Sequence, residues 1–412
     1  MMLKNTLWNV LGLVVPSLIA IPAMAIMARA LGVEKFGLFM LAFSVLGYAG
    51  IFDGGLTRAV IRAVAMHDHD RTRNRLVVGT ASCAVLVLSL IAALLVYFGA
   101  DQITRLLNVS EASQQDAVLS FKLLAFIIPP YLLGLIWFAY PEGQQRFFQL
   151  NILKTITGSL IALLPVLAIL VEPSFFYALI GLLVARVLAL AVAYIPCHRD
   201  LGAHIFSFNM STLKSLLGFG GWITVSNIIS PLMVYADRFI LSNVVGASRV
   251  AFYTAPSEAV ARMSVIPGAV SRTIFPLFSK MQGEATSAAR TAFRGLLVVC
   301  ILIALPVFVF SEQILTLWLG APYGAESSLI LKVLLVGFVF NAVAQVPYSR
   351  LQAHGLAKTT ALIHLWELVP YLAVLALLLN LYGVLGAAIA WTLRVSADFF
   401  VLQFFAKRLE RQ

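Results

Sequence analysis

The hydrophobic positions of this chain fall in long continuous runs, separated by short stretches that contain Gly, Pro and charged residues. Most runs extend over about 20 residues, the length with which an α-helix crosses a bilayer, whereas barrel strands are about ten residues long and alternate in polarity. The pattern predicts an all-α polytopic membrane protein with about twelve transmembrane helices. The expected spans are 7–29, 36–60, 76–99, 118–140, 150–171, 174–196, 216–241, 249–275, 291–311, 327–348, 359–380 and 383–405.

Composition supports a lipid environment. Hydrophobic residues make up 61% of the 412 positions and charged residues only 11%, against about 25% charged in ordinary soluble domains. The net charge of +11 would suggest nucleic acid in a soluble protein, but here the positive residues lie mainly in short loops, where they set orientation. We therefore expect no nucleic-acid partner. Cys83, Cys197 and Cys300 are scattered without metal-ligand spacing, so no metal and no cofactor is expected.

The distribution of positive residues predicts the topology. With a cytoplasmic N-terminus, 19 of the 29 Lys and Arg residues fall on the inner side, 7 fall on the outer side and 3 lie inside spans. This asymmetry fits the positive-inside rule, and an even number of spans places both termini in the cytoplasm. The first run begins near Leu7 without a convincing cleavage site, so it is expected to be a retained span.

The two halves of the chain resemble each other when the first is shifted by 214 residues. The matching pairs are Trp8 and Trp222, Gly32 and Gly246, Gly54 and Gly268, Thr57 and Ser271, and Arg58 and Arg272. Six spans per repeat give both repeats the same topology, so an axis along the membrane normal should relate them. We expect two six-helix lobes, residues 1–206 and 207–412, around a central cavity.

Two stretches carry a family resemblance. "ARALGVEKFGLFMLAFSVLGYAGIFDGGLTRAVIR" (Ala28 to Arg62) and "DRFILSNVVGASRVAFYTAP" (Asp237 to Pro256) resemble the Wzx polysaccharide flippases of the multidrug/oligosaccharidyl-lipid/polysaccharide exporter (MOP) superfamily. The resemblance implies a MATE-like fold in the bacterial inner membrane. It also implies alternating-access translocation of an undecaprenyl-pyrophosphate-linked oligosaccharide, such as an O-antigen repeat unit, from the cytoplasmic to the outer leaflet.

The same resemblance indicates how the transport is driven and what the protein meets. It suggests coupling to a proton or sodium gradient, since no phosphate-cradling Walker motif is present for ATP hydrolysis. The implied partners are the lipid-linked glycan, the membrane lipids, and the polymerase and chain-length regulator of the same pathway.

Arginines in or bordering the spans are the candidate ligands of the pyrophosphate, because a guanidinium can donate paired hydrogen bonds to phosphate oxygens. They are Arg29, Arg58, Arg238, Arg262, Arg272 and Arg394. Because "GGLTR" (Gly54 to Arg58) recurs as "GAVSR" (Gly268 to Arg272), two of them are expected at the inner mouth of the cavity. The glycines above them would allow close helix packing or bending. Interfacial anchoring or neutralisation within one helix, as at i,i+4 pairs, is the plainer alternative for the others.

Acidic residues at membrane depth are candidates for coupling or gating. They are Asp53, Asp237, Glu258, Glu367 and Asp398. Glu367 lies one turn after His364 and could exchange protons, or it could form an ordinary helix contact. Arg186 has no local acidic partner. It could face the cavity, or it could lie near a span end with its head group in the interface, which is what we expect.

Other functional classes receive less support. "HDHD" (His67 to Asp70) lies in a short basic loop and is interpreted as a solvated segment, not a metal site. A cation-coupled drug or metabolite exporter of the same superfamily is the first rival. A membrane glycosyltransferase or polymerase is the second, although the short outer loops leave little room for its active site. We expect a transporter and not an enzyme.

Overall fold

The computed structural model describes residues 2–66, 70–202, 206–265, 267–268, 285–354 and 356–409. Within these ranges all regular secondary structure is helical. The residues form two compact units, which we call unit 1 (Met1–Phe239 with Gly246–Ser248) and unit 2 (Ile240–Val245 with Arg249–Gln412). The division into transport lobes at 206/207 stays a prediction.

Within each described range, successive helices are joined by short connections. Unit 1 contains α1 (Met2–Ala49), α2 (Leu56–Met66), α3 (Arg71–Phe98), α4 (Ala100–Leu106), α5 (Glu111–Gly143), α6 (Phe147–Ile169) and α7 (Phe175–Leu201), and most of α8 (Met210–Val245). Unit 2 contains most of α9 (Ala247–Met263), then α10 (Ala285–Val309), α11 (Ser311–Leu319), α12 (Ala321–Ala353), α13 (Ala357–Tyr382) and α14 (Val384–Leu409).

Nine of the described helices are long and apolar enough to cross a membrane. One of them, α1, is broken at Gly32 (φ 74°, ψ 174°), so that it contains the first predicted span and most of the second. The nine account for every predicted span except 216–241 and 249–275, which include residues whose side chains lie outside the description. The all-helical multi-pass architecture expected from the hydrophobic pattern is therefore confirmed.

The predicted second span, 36–60, is not one continuous helix. A 3-10 turn (Gly50–Asp53) follows α1, and the left-handed Gly54 (φ 58°) and Gly55 (φ 73°) then redirect the chain. The Asp53 carboxylate caps the first turn of α2, because its Oδ1 accepts hydrogen bonds from the Thr57 backbone N (3.1 Å) and Oγ1 (2.8 Å). The stretch from Asp53 to Arg58 thus contains a helix break, in line with the bending expected at Gly54, although the span was predicted as continuous to residue 60.

The two units share a common framework. Every buried position between Ala117 and Tyr140 on α5 has a buried counterpart 210 residues later on α12. Gly32 and Gly246, matched by the repeat, both adopt left-handed backbone (φ 74° and 87°) between successive helical segments. These likenesses agree with the internal repeat predicted from sequence.

Candidate functional site

An arginine near the middle of α7 marks the polar interior of unit 1. The Arg186 guanidinium carbon lies 4.7 Å from the ring centroid of Tyr131, which is near the middle of α5. The Arg186 Nε is buried and has no hydrogen-bond partner in the described part of the chain. Arg186 therefore does not lie near a span end as expected, but is held at membrane depth by an aromatic face.

Tyr131 connects this arginine to two other helical segments. Its titratable neighbours are Arg186, Tyr235 of α8 and Asp53 of the 3-10 turn. The ring of Tyr235 packs where Gly47 has no side chain, since a Cβ at Gly47 would overlap it. We call Asp53, Tyr131, Arg186, Tyr235 and Arg238 the unit 1 cluster.

Arg238 and Asp237 are both buried on α8, with exposed fractions of 6% and 4%. The Arg238 guanidinium carbon lies 5.5 Å from the Tyr235 centroid, and its Nη1 is 3.5 Å from Ser44 Oγ on α1. Asp237 Oδ1 accepts a 2.7 Å hydrogen bond from the Arg238 backbone N. Charged side chains buried this deeply are seldom surface anchors, which favours an interior role for the pair.

The remaining candidates of unit 1 are more exposed. Arg58 is exposed on α2, and its charge acts on Asp53. Arg29 is exposed on α1, three residues before the break at Gly32.

A second group of ionisable residues joins α13 and α14 in unit 2. His364 Nε2 lies 3.5 Å from Asp398 Oδ1, and the His364 ring stacks on Tyr348 at 5.9 Å between centroids. Both carboxylate oxygens of Glu367 are buried without a hydrogen-bond partner in the described structure. Its charged neighbours are Asp398, His364 and Arg394. We call these four ionisable residues the unit 2 cluster.

The unit 2 cluster borders a cleft of about 600 Å³ between α13 and α14. Glu367 and Arg394 both line this cleft, and the Arg394 guanidinium carbon lies 5.3 Å from the Tyr371 centroid. The rest of the lining is mainly apolar and includes Ile363, Pro370, Val374, Ala390, Ala397 and Phe405. Two acidic groups and one permanent cation are thus gathered beside an apolar space.

Glu258 and Arg262 are both half-buried on α9, and the Arg262 Nε is buried without a hydrogen-bond partner among the described residues. Arg272 lies outside the described residues, as do His67, Asp68 and His69. Asp70 accepts a 2.9 Å hydrogen bond from the Arg73 backbone N, so it caps α3.

Comparison with known proteins decides the family. Residues 2–282 match the family of polysaccharide biosynthesis proteins. The chain belongs to that polysaccharide biosynthesis family. A candidate O-antigen transporter of Shigella flexneri is 43% identical over 414 residues, covering 99% of this chain and 98% of the relative. These matches confirm the predicted membership of the Wzx group.

Two solved structures show that this protein has the MOP fold. The inward-facing conformation of a multidrug resistance MATE transporter gives a TM-score of 0.79 at 15% identity, covering 98% of this chain and 94% of that one. The lipid II flippase MurJ in an inward closed conformation gives 0.78 at 13% identity, covering 98% and 87%. At this identity the structures establish the fold alone. The family relatives are transport proteins rather than enzymes, as expected.

Two features of the unit 1 and unit 2 clusters were given too little weight in the predictions from sequence. Arg186 stands at the centre of the predicted span 174–196, and that central position was itself the signal for an interior arginine. The contact between His364 and Asp398 joins two helices, so no spacing along one helix could have revealed it.

Proposed function

We propose that this protein translocates an undecaprenyl-pyrophosphate-linked oligosaccharide from the cytoplasmic to the outer leaflet of the bacterial inner membrane by alternating access. The charged pyrophosphate and its sugars cannot cross about 30 Å of hydrocarbon unaided. The protein must therefore supply a cation at membrane depth. The observation that carries the proposal is the Arg186 guanidinium stacked on Tyr131 in the interior of unit 1.

The stacking suits Arg186 to an anionic ligand. A guanidinium that lies over an aromatic ring keeps its N–H donors in the plane, where they can form paired hydrogen bonds with phosphate oxygens. Arg238, buried on α8 beside Tyr235, supplies a second cation in the same cluster. In the proposed cycle Arg58 and Arg272 receive the pyrophosphate at the cytoplasmic end, and Arg29, Arg262 and Arg394 contact it along the path.

The unit 2 cluster is proposed to couple transport to an ion gradient. Glu367 and Asp398 place two carboxyl groups beside the one permanent positive charge of Arg394. A buried carboxylate that lies beside a second carboxyl group is stabilised by taking up a cation, H⁺ or Na⁺. Binding and release of that cation would favour alternate conformations. Asp53, Asp237 and Glu258 are assigned to gating. The polymerase and chain-length regulator of the pathway are the proposed partners.

Replacement of Arg186 tests the proposed substrate site. In liposomes containing a fluorescent undecaprenyl-pyrophosphate glycan, Arg186→Ala should slow translocation about 10- to 100-fold, since a charge-assisted hydrogen bond contributes about 1.5–3 kcal/mol. Arg186→Lys should restore only part of the rate. The matched control is Arg199→Ala, which removes the same charge from the exposed end of the same helix. Equal rates for wild type, Arg186→Ala and Arg199→Ala would contradict the assignment.

The same liposomes separate the proposal from a drug exporter. Wild-type protein should translocate the glycolipid and leave a cationic dye untransported. Dye export without glycolipid movement would assign the chain to the rival activity.

A further inference from the structure

A cleft separate from both clusters lies on unit 1, where α2 ends and where α3 and α8 begin. Its volume is about 410 Å³. Arg62 of α2 and Arg73 of α3 line it together with hydroxyl groups in the first two turns of α8. Those hydroxyls belong to Ser211, Thr212 and Ser215. Under the predicted topology this cleft is at the cytoplasmic surface of the membrane.

Hydrogen bonds and close backbone packing fix two of the helices that border the cleft, α3 and α8. Before α8 begins, Ser207 O accepts a 3.2 Å hydrogen bond from Thr80 Oγ1, which in turn accepts one from the Asn209 backbone N (3.1 Å). At Gly79 the absence of a side chain lets the Ser207 backbone approach α3, because a Cβ there would lie 2.6 Å from Ser207 N. The start of α8 is thereby attached to α3.

The chemistry of the lining suits an anion on an amphipathic molecule. Two guanidinium groups come from different helices, and the hydroxyls of Ser211 and Ser215 can donate further hydrogen bonds, whereas Thr212 Oγ1 donates to Asn209 Oδ1. No acidic side chain is among the described lining residues. Ala59, Val77 and Leu216 are buried beneath the polar rim and provide an apolar base.

We infer that this cleft binds the phosphate group of an anionic ligand at the cytoplasmic surface. Basic pockets between helices at this depth recognise phosphate head groups through the same combination of cations and hydroxyls. The phosphate can come from a bilayer phospholipid or from a pyrophosphate ligand. The inference goes beyond the proposed function, because it uses neither the unit 1 cluster nor the unit 2 cluster.

Binding measurements on the full chain test the inference. The protein is placed in nanodiscs of zwitterionic phosphatidylcholine, and two probes are used: inorganic pyrophosphate in calorimetry, and phosphatidylglycerol retention in native mass spectrometry. Arg62→Ala with Arg73→Ala should weaken at least one probe about tenfold or more. The control, Arg71→Ala with Arg199→Ala, loses the same charge from exposed cytoplasmic positions outside the cleft and should bind like wild type.

A second variant keeps both arginines and blocks the space. Ser215→Trp, at an exposed position of the lining, should reproduce the loss. Loss of phosphatidylglycerol retention alone supports the site and assigns it to the lipid head group. Loss of pyrophosphate binding alone supports the site and assigns it to a pyrophosphate ligand. Loss of both supports a site that binds the phosphate of either source. Equal weakening in the cleft variants and the control, or no weakening in any variant, overturns the inference, whatever the rate of glycolipid translocation.

Discussion

The helix pair α6–α7 of unit 1 and its counterpart α13–α14 of unit 2 differ in where their backbones touch. Positions on α7 correspond to positions 209 residues later on α14, because the buried Ala178, Leu179 and Gly181 then fall on the buried Ala387, Ala388 and Ala390. A shift of 210 residues likewise places the buried Leu153 and Ile169 of α6 on the buried Ile363 and Leu379 of α13.

In unit 1, a Cβ on Gly181 would overlap the carbonyl oxygen of Leu164, so the two backbones touch. The matching residues in unit 2, Val374 and Ala390, instead both line the cleft of about 600 Å³. In unit 2 the backbone contact lies four residues earlier on α14, where a Cβ on Gly386 would overlap the carbonyl oxygen of Leu378. The two helix pairs therefore make their glycine contacts at different levels, and the level of the unit 1 contact borders a cleft in unit 2.

The chemistry of the two pairs differs in the same place. Glu367, Arg394 and Asp398 of unit 2 stand where unit 1 has Thr157, Ala185 and Ala189. Residues as small as alanine allow helices to pack closely, whereas a charged group requires space and partners. The repeat therefore preserves the helix positions, whereas each unit has its own set of polar residues in its interior.

The unit 1 cluster has no copy in unit 2 either. Arg186 and Tyr131 correspond to Val395 and Asn341, so the central arginine of unit 1 occupies a different helix face from Arg394. Each unit has an arginine over an aromatic ring, but in unit 2 that arginine, Arg394, is grouped with two carboxyl groups, Glu367 and Asp398. This division is the basis for assigning substrate binding to one and ion coupling to the other.

The largest expected effect comes from introducing valine at Gly181 of unit 1, compared with valine at the equivalent Ala390 of unit 2. Gly181→Val should destabilise the protein by about 3 kcal/mol or more, because the valine must displace the Leu164 backbone. Ala390→Val should cost less, since Ala390, although buried, borders the cleft and no backbone contact at this position has to be displaced. Thermal unfolding in detergent measures both. A similar loss of melting temperature in the two variants would contradict this difference between the units.

An intermediate effect is expected where α12 meets α14. A Cβ at Gly337 would lie 2.5 Å from the Trp391 ring, whereas the equivalent residues of unit 1 are Ile127 and Leu182. Gly337→Ile alone should cost about 1–3 kcal/mol through overpacking. Adding Trp391→Leu recreates the unit 1 pair and should recover at least half of the loss in melting temperature. No recovery would show that the units do not share a packing register.

The smallest effect concerns a feature that both units retain. Lys122 Nζ lies 5.9 Å from the Tyr97 centroid, and Lys332 Nζ lies 5.9 Å from the Phe308 centroid. Lys122→Met and Lys332→Met should each cost about 0.5–1 kcal/mol, the range of exposed cation–π contacts. A melting temperature that falls in only one variant would show that the contact stabilises a single unit.

The sequence predicted the fold well because burial in lipid leaves a strong signal. Runs of about 20 apolar residues located the spans, and the pairing of Gly32 with Gly246 anticipated equivalent backbone turns. Bending at Gly54 was expected from the glycine itself, but span 36–60 was predicted as continuous, since hydropathy averaged over a span does not register a change of backbone direction.

The candidate sites were predicted less completely. An apolar run gives no reliable rotation for its helix, so the sequence did not show that Arg186 faces Tyr131 or that His364 reaches Asp398. Such contacts join helices far apart in the chain. The glycine contact of the α13–α14 pair is at Gly386 and not at Ala390, which lines the cleft, and this shift becomes visible only when the two pairs are compared.

The division of roles between the clusters can be tested by one measurement. Glycolipid translocation is followed in liposomes at several substrate concentrations, with and without imposed proton and sodium gradients, for wild type, Arg186→Ala and Glu367→Gln. Arg186→Ala should raise the substrate concentration for half-maximal rate and still respond to the gradient that drives wild type. Glu367→Gln should keep the wild-type half-maximal concentration and lose the response. A Glu367→Gln variant that responds to the gradient like wild type would contradict the account.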